Sequence, residues 1–157
     1  MKQKELVLDC LKSMGFEPLD IDGMGYAFMC DDITFFYVLD EDEQFLRIAI
    51  PNLFDTKDAN RTDILEAMHH SSYLVKNVKL NIMYDTSVWA IYEHYLHSAE
   101  NLTSLMEHII VCLGNAANLF FKKLMGEDSS EQIADGEEGL DDNIEEELLK
   151  FINEANN

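Results

Sequence analysis

Five histidines, three cysteines and 31 acidic residues are the side chains of this 157-residue sequence that could transfer protons, attack a carbonyl or ligate a metal. Their spacing decides whether they do. His69 and His70 are adjacent, and inside a helix such neighbours point about 100° apart, too divergent to chelate one ion together. Neither stands at the four-residue spacing of a zinc-protease helix, and no Cys or carboxylate spacing completes a site, so no metal is expected. His94 and His97, with His108 further on, could approach one another in space. With Glu93 and Tyr95 they form the cluster that would suit a small-molecule binder or an enzyme, although no nucleophile is set beside them. The acidic "DEDEQF" opens like a calcium loop, but Phe45 stands where that loop needs glycine and Pro51 where it needs a bidentate glutamate. "DGMGYAF" lacks the third glycine of a dinucleotide fingerprint and opens a strand instead of a helix. No Walker lysine and no G-x-S-x-G elbow is present. The sequence therefore predicts no catalytic residue, no metal and no cofactor.

Bulk properties narrow the partners. The formal charge of −20 repels phosphate backbones and anionic headgroups, which excludes nucleic acid and membrane surfaces as partners. Cys10, Cys30 and Cys112 are odd in number, far apart and embedded in apolar patterns, as suits buried thiols in a reducing compartment. The first residues carry charges and no apolar run of signal-peptide length, and "IIVCLGNAANLFF" is too short to cross a bilayer, so a cytoplasmic location is expected.

The elements that must position these residues follow from periodicity. Val7, Leu8, Leu11 and Met14 at helical spacing, closed by Gly15, predict a helix over 2–14. Alternation then predicts strands from Tyr26 to Cys30, over 33–39 and over 45–50, the last ending at Pro51 because proline cannot donate to a ladder. Asn60 caps a second helix with Ile64, Leu65, Met68, Ser72 and Val75 on one stripe. A hairpin follows, Val78 to Tyr84 and its partner, with Asp85 and Thr86 as turn; a two-residue turn sets Ile82 opposite Trp89 and Leu80 opposite Ile91. Leu102, Leu105, Ile109, Leu113, Ala116, Phe120 and Leu124 mark a long helix over 101–125. The asparagines of the two Asn-x-Thr triplets, Asn60 and Asn101, read as helix caps. The class is α+β: a five-stranded antiparallel sheet with helices packed on one side, in the order α-βββ-α-ββ-α.

Composition changes at Gly126. From 127 to 157 there are twelve acids and one lysine. Residues 126–140 read as an acidic flexible linker. Residues 141–157 read as a short amphipathic helix, whose stripe of Ile144, Leu148 and Phe151 is expected to dock on an apolar surface.

The order of elements over residues 1–125, with "GYAFMCDDITFFYVLDEDEQFLRIAIPNLF" and "TDILEAMHHSSYLVKNVKLNI" at its centre, resembles the type III secretion chaperone-like fold, in particular its YbjN-type relatives. The resemblance implies an antiparallel sheet with helices on one side, no cofactor, no catalytic residue and frequent dimerisation. It further implies a chaperone- or adaptor-like role in which apolar surface holds a polypeptide. The strands themselves are apolar on both faces. With the first hairpin tip centred between Glu41 and Asp42, Ile33, Phe35, Tyr37, Leu39, Leu46, Ile48 and Ile50 face the helices. The second face then carries Phe36, Val38, Phe45 and Ala49, with Met83, Val88, Ala90 and Tyr92 from the second hairpin. A patch of that size on a soluble protein needs a cover, either a polypeptide client or a second copy of the chain.

Overall fold

The computed structural model describes residues 2–97 and 101–126. The chain divides after Leu124 into two units, and the fold below is that of the first. The linker at 126–140, the helix at 141–157 and the docking of Ile144, Leu148 and Phe151 lie, Gly126 apart, outside the described residues.

Helix α1 (Gln3–Ser13) ends where the sequence places its stop. Gly15 adopts φ +92°, and the amides of Gly15 and Phe16 return to the carbonyls of Lys12 and Leu11, a left-handed cap that a residue bearing a Cβ adopts only with strain. Strands β1 (Leu19–Asp20), β2 (Gly25–Cys30), β3 (Ile33–Val38) and β4 (Phe45–Asp55) follow, then helix α2 (Arg61–Leu74), strands β5 (Val78–Met83) and β6 (Ser87–Tyr95), and helix α3 (Leu102–Leu124). Asn60 Oδ1 accepts from the Thr62 amide at 2.8 Å and Asn101 Oδ1 from the Ser104 amide at 3.2 Å, so both asparagines are helix caps.

The strands form one antiparallel sheet of six, ordered β1-β2-β3-β4-β6-β5. The sixth strand is β1, two residues long, pairing Leu19 with Ala27 and Asp20 with Tyr26. It follows Pro18, in a stretch for which the sequence predicts no element. Asp31 and Asp32, both at positive φ, make the two-residue turn between β2 and β3. The β3–β4 hairpin pairs Tyr37 with Ile48, so its tip is centred between Asp42 and Glu43, one residue beyond the expected place. That displacement moves each pairing by two residues and leaves every side chain on its expected face.

Two expectations are corrected. Strand β4 does not stop at Pro51; the register between β4 and β6 shifts between Ile50 and Phe54, and Pro51 sits in the resulting bulge, where no ladder donor is required. The β5–β6 connection has three residues, Tyr84 to Thr86, with Tyr84 and Asp85 both at φ +57°. The extra residue puts Leu80 opposite Ala90 and Ile82 opposite Val88. Every side chain of β6 is thereby exchanged between faces relative to the two-residue turn.

The core lies between one sheet face and the helices. Phe28, Phe35, Tyr37, Leu46, Ile48, Ile50, Val88, Ala90 and Tyr92 meet Val7 and Leu11 of α1, Ile64 and Met68 of α2, and Ile109, Leu113 and Phe120 of α3. At the α2–α3 crossing the buried Ser71 hydroxyl donates to the Ala116 carbonyl at 2.6 Å, which satisfies a polar group that burial would otherwise penalise. Helix α3, with 23 residues, is long and apolar enough by length and composition to cross a membrane. Its apolar stripe, Met106, Ile109, Leu113, Ala116, Ala117 and Phe120, is buried in this core.

Candidate functional site

The face of the sheet turned away from the helices is where the polypeptide-binding expectation must be met. Side chains alternate along a strand, so the pairings Phe36–Ala49, Ala49–Ile91 and Ile91–Lys79 run as one row across β3, β4, β6 and β5. The next row is Val38, Arg47 and Glu93. Trp89 lies opposite Asn81 of β5, and on its other side the bulge of β4 offers no ladder partner, so the Phe36 ring meets the indole edge-on at a centroid distance of 6.4 Å. Ala49 is the small residue of its row. It and Ile91 form the floor of a concavity of about 490 Å³, walled by Phe36, Val38, Met83 and Trp89, with Met24, Tyr84 and Asn81 also lining it.

Gly25 has a steric role beside this wall. A Cβ built there would fall 2.1 Å from the Tyr37 carbonyl oxygen and 2.8 Å from Phe36 Cζ, so only glycine lets β2 pass under the Phe36 ring.

The charges on the face are mutually paired. Arg47 reaches Asp40 at 3.1 Å and Glu93 at 2.9 Å, and Lys79 reaches the same Glu93 oxygen at 3.0 Å. Burial pushes the Glu93 carboxyl up, but the hydrogen bonds and charges of Lys79 and Arg47 outweigh it and hold the group below the usual glutamate value. The Trp89 indole N–H is buried and has no hydrogen-bond partner among the described residues. Chemically, the site offers apolar contact, aromatic edges and a fixed ion-pair network.

Of the residues expected on this face, Phe36, Val38, Ala49 and Met83 line the concavity. Phe45 stands on the same face at the start of β4, outside the concavity and edge-on to Tyr95 at 5.4 Å. Val88, Ala90 and Tyr92 are corrected: they are buried against the helices, because the three-residue turn reverses β6. Trp89, Ile91 and Glu93 occupy the outer face instead. A hint of this exists in the sequence, since Arg47, Lys79 and Glu93 can pair on one face only in that register.

The histidines and the side chains expected to work with them divide between the two sides of β6. His94 sits opposite Leu46 in the ladder, on the helix side of β6, whereas Glu93 and Tyr95 project from the other side. His97 stands edge-on to Tyr95 at 5.3 Å, and His108 lies beside Cys112, with Nε2 3.4 Å from the sulfur. Burial pushes the Cys112 thiol up, away from the thiolate a nucleophile would need. His69 stacks on Tyr73 at 6.2 Å beside a shallow surface hollow. Among the described residues no group of three potential ligands could hold a metal ion.

No protein-family model and no curated protein sequence matches the chain. Solved structures do. A chain of the HopA1–SchA chaperone–effector complex superimposes with a TM-score of 0.55 at 16% identity, over 73% of this chain and 89% of that one. YbjN from E. coli superimposes with a TM-score of 0.56 at 7% identity, over 78% of this chain and 92% of that one. The chain has the chaperone-like, YbjN-type fold. At these identities the likeness concerns the fold, and what the site does must be argued from the site.

Proposed function

We propose that this protein is a non-enzymatic, chaperone- or adaptor-like module whose outer sheet face binds a polypeptide partner. The observation that carries the reading is the apolar concavity of about 490 Å³ on the face opposite the helices. A domain that already has a complete core on one side of its sheet gains nothing in its own folding from a second apolar side, and such surface marks interaction. One structural neighbour belongs to a chaperone–effector complex, which supports a polypeptide as the class of partner. Glu93 and Tyr95 project from the opposite side of β6 to His94, and burial pushes the Cys112 thiol beside His108 up, which supports a non-enzymatic role.

A second reading, a homodimer closed through the same face, is favoured by Phe45 and Tyr95, exposed aromatics that extend the apolar surface beyond the concavity. A standard specific interface needs about 800 Å² from each partner. Light scattering of the purified chain separates the readings, and co-purification from the native cell tests the first. The intact chain is expected to retain a heterologous polypeptide that the Asn81→Arg variant, altered at an exposed position of the face, does not. A dimer that Asn81→Arg splits, with no heterologous partner, would overturn the client reading.

A further inference from the structure

We propose that the occupant of the outer face is an α-helix of a partner polypeptide, apolar along one stripe and flanked by Lys and Arg; this deepens the polypeptide-binding reading and rests on it. The helical form follows from hydrogen bonding. Strands β3, β4 and β6, which carry the floor, are each paired on both sides, and the free edge of the sheet lies beyond β5 at the rim, so a segment lying across the floor meets side chains and no free ladder. An extended segment there would press its own N–H and C=O groups against Phe36, Ala49 and Ile91 without partners, a cost native structures avoid. A helix satisfies its backbone internally and presents anchors at i, i+3, i+4 and i+7.

The sign of its charge follows from the rim. The face's own cations are engaged, Arg47 by Asp40 and Glu93 and Lys79 by Glu93. The strand-to-strand connections, residues 21–24, 31–32, 39–44 and 84–86, hold eight acids and no Lys or Arg. Asp40 is paired with Arg47, and an apolar floor bounded by the remaining excess of negative charge selects a basic amphipathic occupant by complementarity. A second copy of the chain brings a charge of −20, and residues 127–157 bring twelve acids against one lysine, so both meet like charge at this rim.

Trp89 is the chain's one tryptophan and lines the concavity, so its emission reads occupancy. The full chain is titrated with a Leu/Lys amphipathic peptide of about 18 residues, roughly 27 Å of helix, and with its Leu/Glu twin. The Leu/Lys peptide is expected to shift Trp89 emission at a concentration at least about tenfold lower than the twin. The gap should narrow in high salt, and the shift should be lost in Asn81→Arg and in Ile91→Glu, the first of these lying at an exposed position. Equal responses to both peptides, still lost in Asn81→Arg, would overturn the basic helix and leave polypeptide binding standing. Leu/Lys binding that neither variant weakens is attraction to the acidic surface at large and overturns the proposal. Without a response to either peptide the helix falls alone if a heterologous partner still co-purifies in a manner abolished by Asn81→Arg, and polypeptide binding falls with it if none does.

Discussion

Removing one oxygen, by Tyr37→Phe, tests how the sheet is held to its first helix. Tyr37 is 1% exposed near the end of β3, and its hydroxyl donates to Gln3 Oε1 at 2.8 Å. The Gln3 amide nitrogen in turn donates to the Glu43 carbonyl, so one side chain ties the first turn of α1 to β3 and to the β3–β4 turn. Phenylalanine leaves the Gln3 oxygen in the core without a donor, at a cost of about 1–3 kcal/mol. A loss of about 2 kcal/mol corresponds to a fall in Tm of about 4–8 °C for a chain of this size. The hydroxyl also carries a pH signature. Burial first, then the charges of Glu43 and Tyr26, push the Tyr37 pKa from 10.0 up to about 12. The folded state thus holds this proton more tightly than the unfolded state. Its contribution is complete below pH 10 and is lost as pH rises from 10 towards 12, by about 3 kcal/mol across the window. Urea unfolding of parent and variant at pH 7, 10 and 11.5 measures both effects. The variant should start lower and lose less with alkali, and Gln3→Leu combined with Tyr37→Phe should regain part of the difference, since neither polar partner then remains. A Tyr37→Phe chain as stable as the parent at pH 7, or an identical alkaline loss in both, would refute the reasoning.

Gly25→Ala should destabilise the domain by about 1–3 kcal/mol through overpacking, because the new Cβ meets the Tyr37 carbonyl at 2.1 Å; an unchanged thermal midpoint would contradict it. Glu93→Gln should cost no more than about 1 kcal/mol at pH 7, since the network is partly solvated. Because the Glu93 pKa is lowered in the folded state, its contribution is present above the ordinary glutamate value of 4.5 and disappears as pH falls through the folded one. The variant should therefore show a shallower acid loss, readable by circular dichroism. Prolonged treatment with a strong chelator should leave Tm unchanged, and a large drop would show that the histidines ligate a metal.

Much of the fold is legible because its signals are local. Gly15, Asn60 and Asn101 mark helix ends through their own backbone or side-chain chemistry, and the stripe from Leu102 to Leu124 marks α3 through spacing alone. The faces of β3 and β4 are legible for the same reason, since the expected and observed hairpin tips differ by a displacement that preserves side-chain parity. Three features depend on tertiary context. Leu19 and Asp20 form a strand only because the edge of β2 is there to receive them. Pro51 is accommodated by a bulge that the strand pattern does not announce. "YDTS" supports a turn of two or of three residues, and the choice rests on two non-glycine residues taking positive φ. That one residue decides whether Tyr92 or Ile91 faces outward, and hence half of the candidate site.

On the function proposed above, the outer sheet face takes another polypeptide. A photoreactive amino acid in place of Val38, which lines the concavity, tests this most directly in the native cell, with the same substitution at exposed Tyr73 on α2 as the control. Adducts between position 38 and a heterologous protein, mapped by mass spectrometry to a short segment and missing at position 73, are the predicted result. Adducts from position 38 only to a second copy of this chain, or equal labelling from both positions, would contradict the claim.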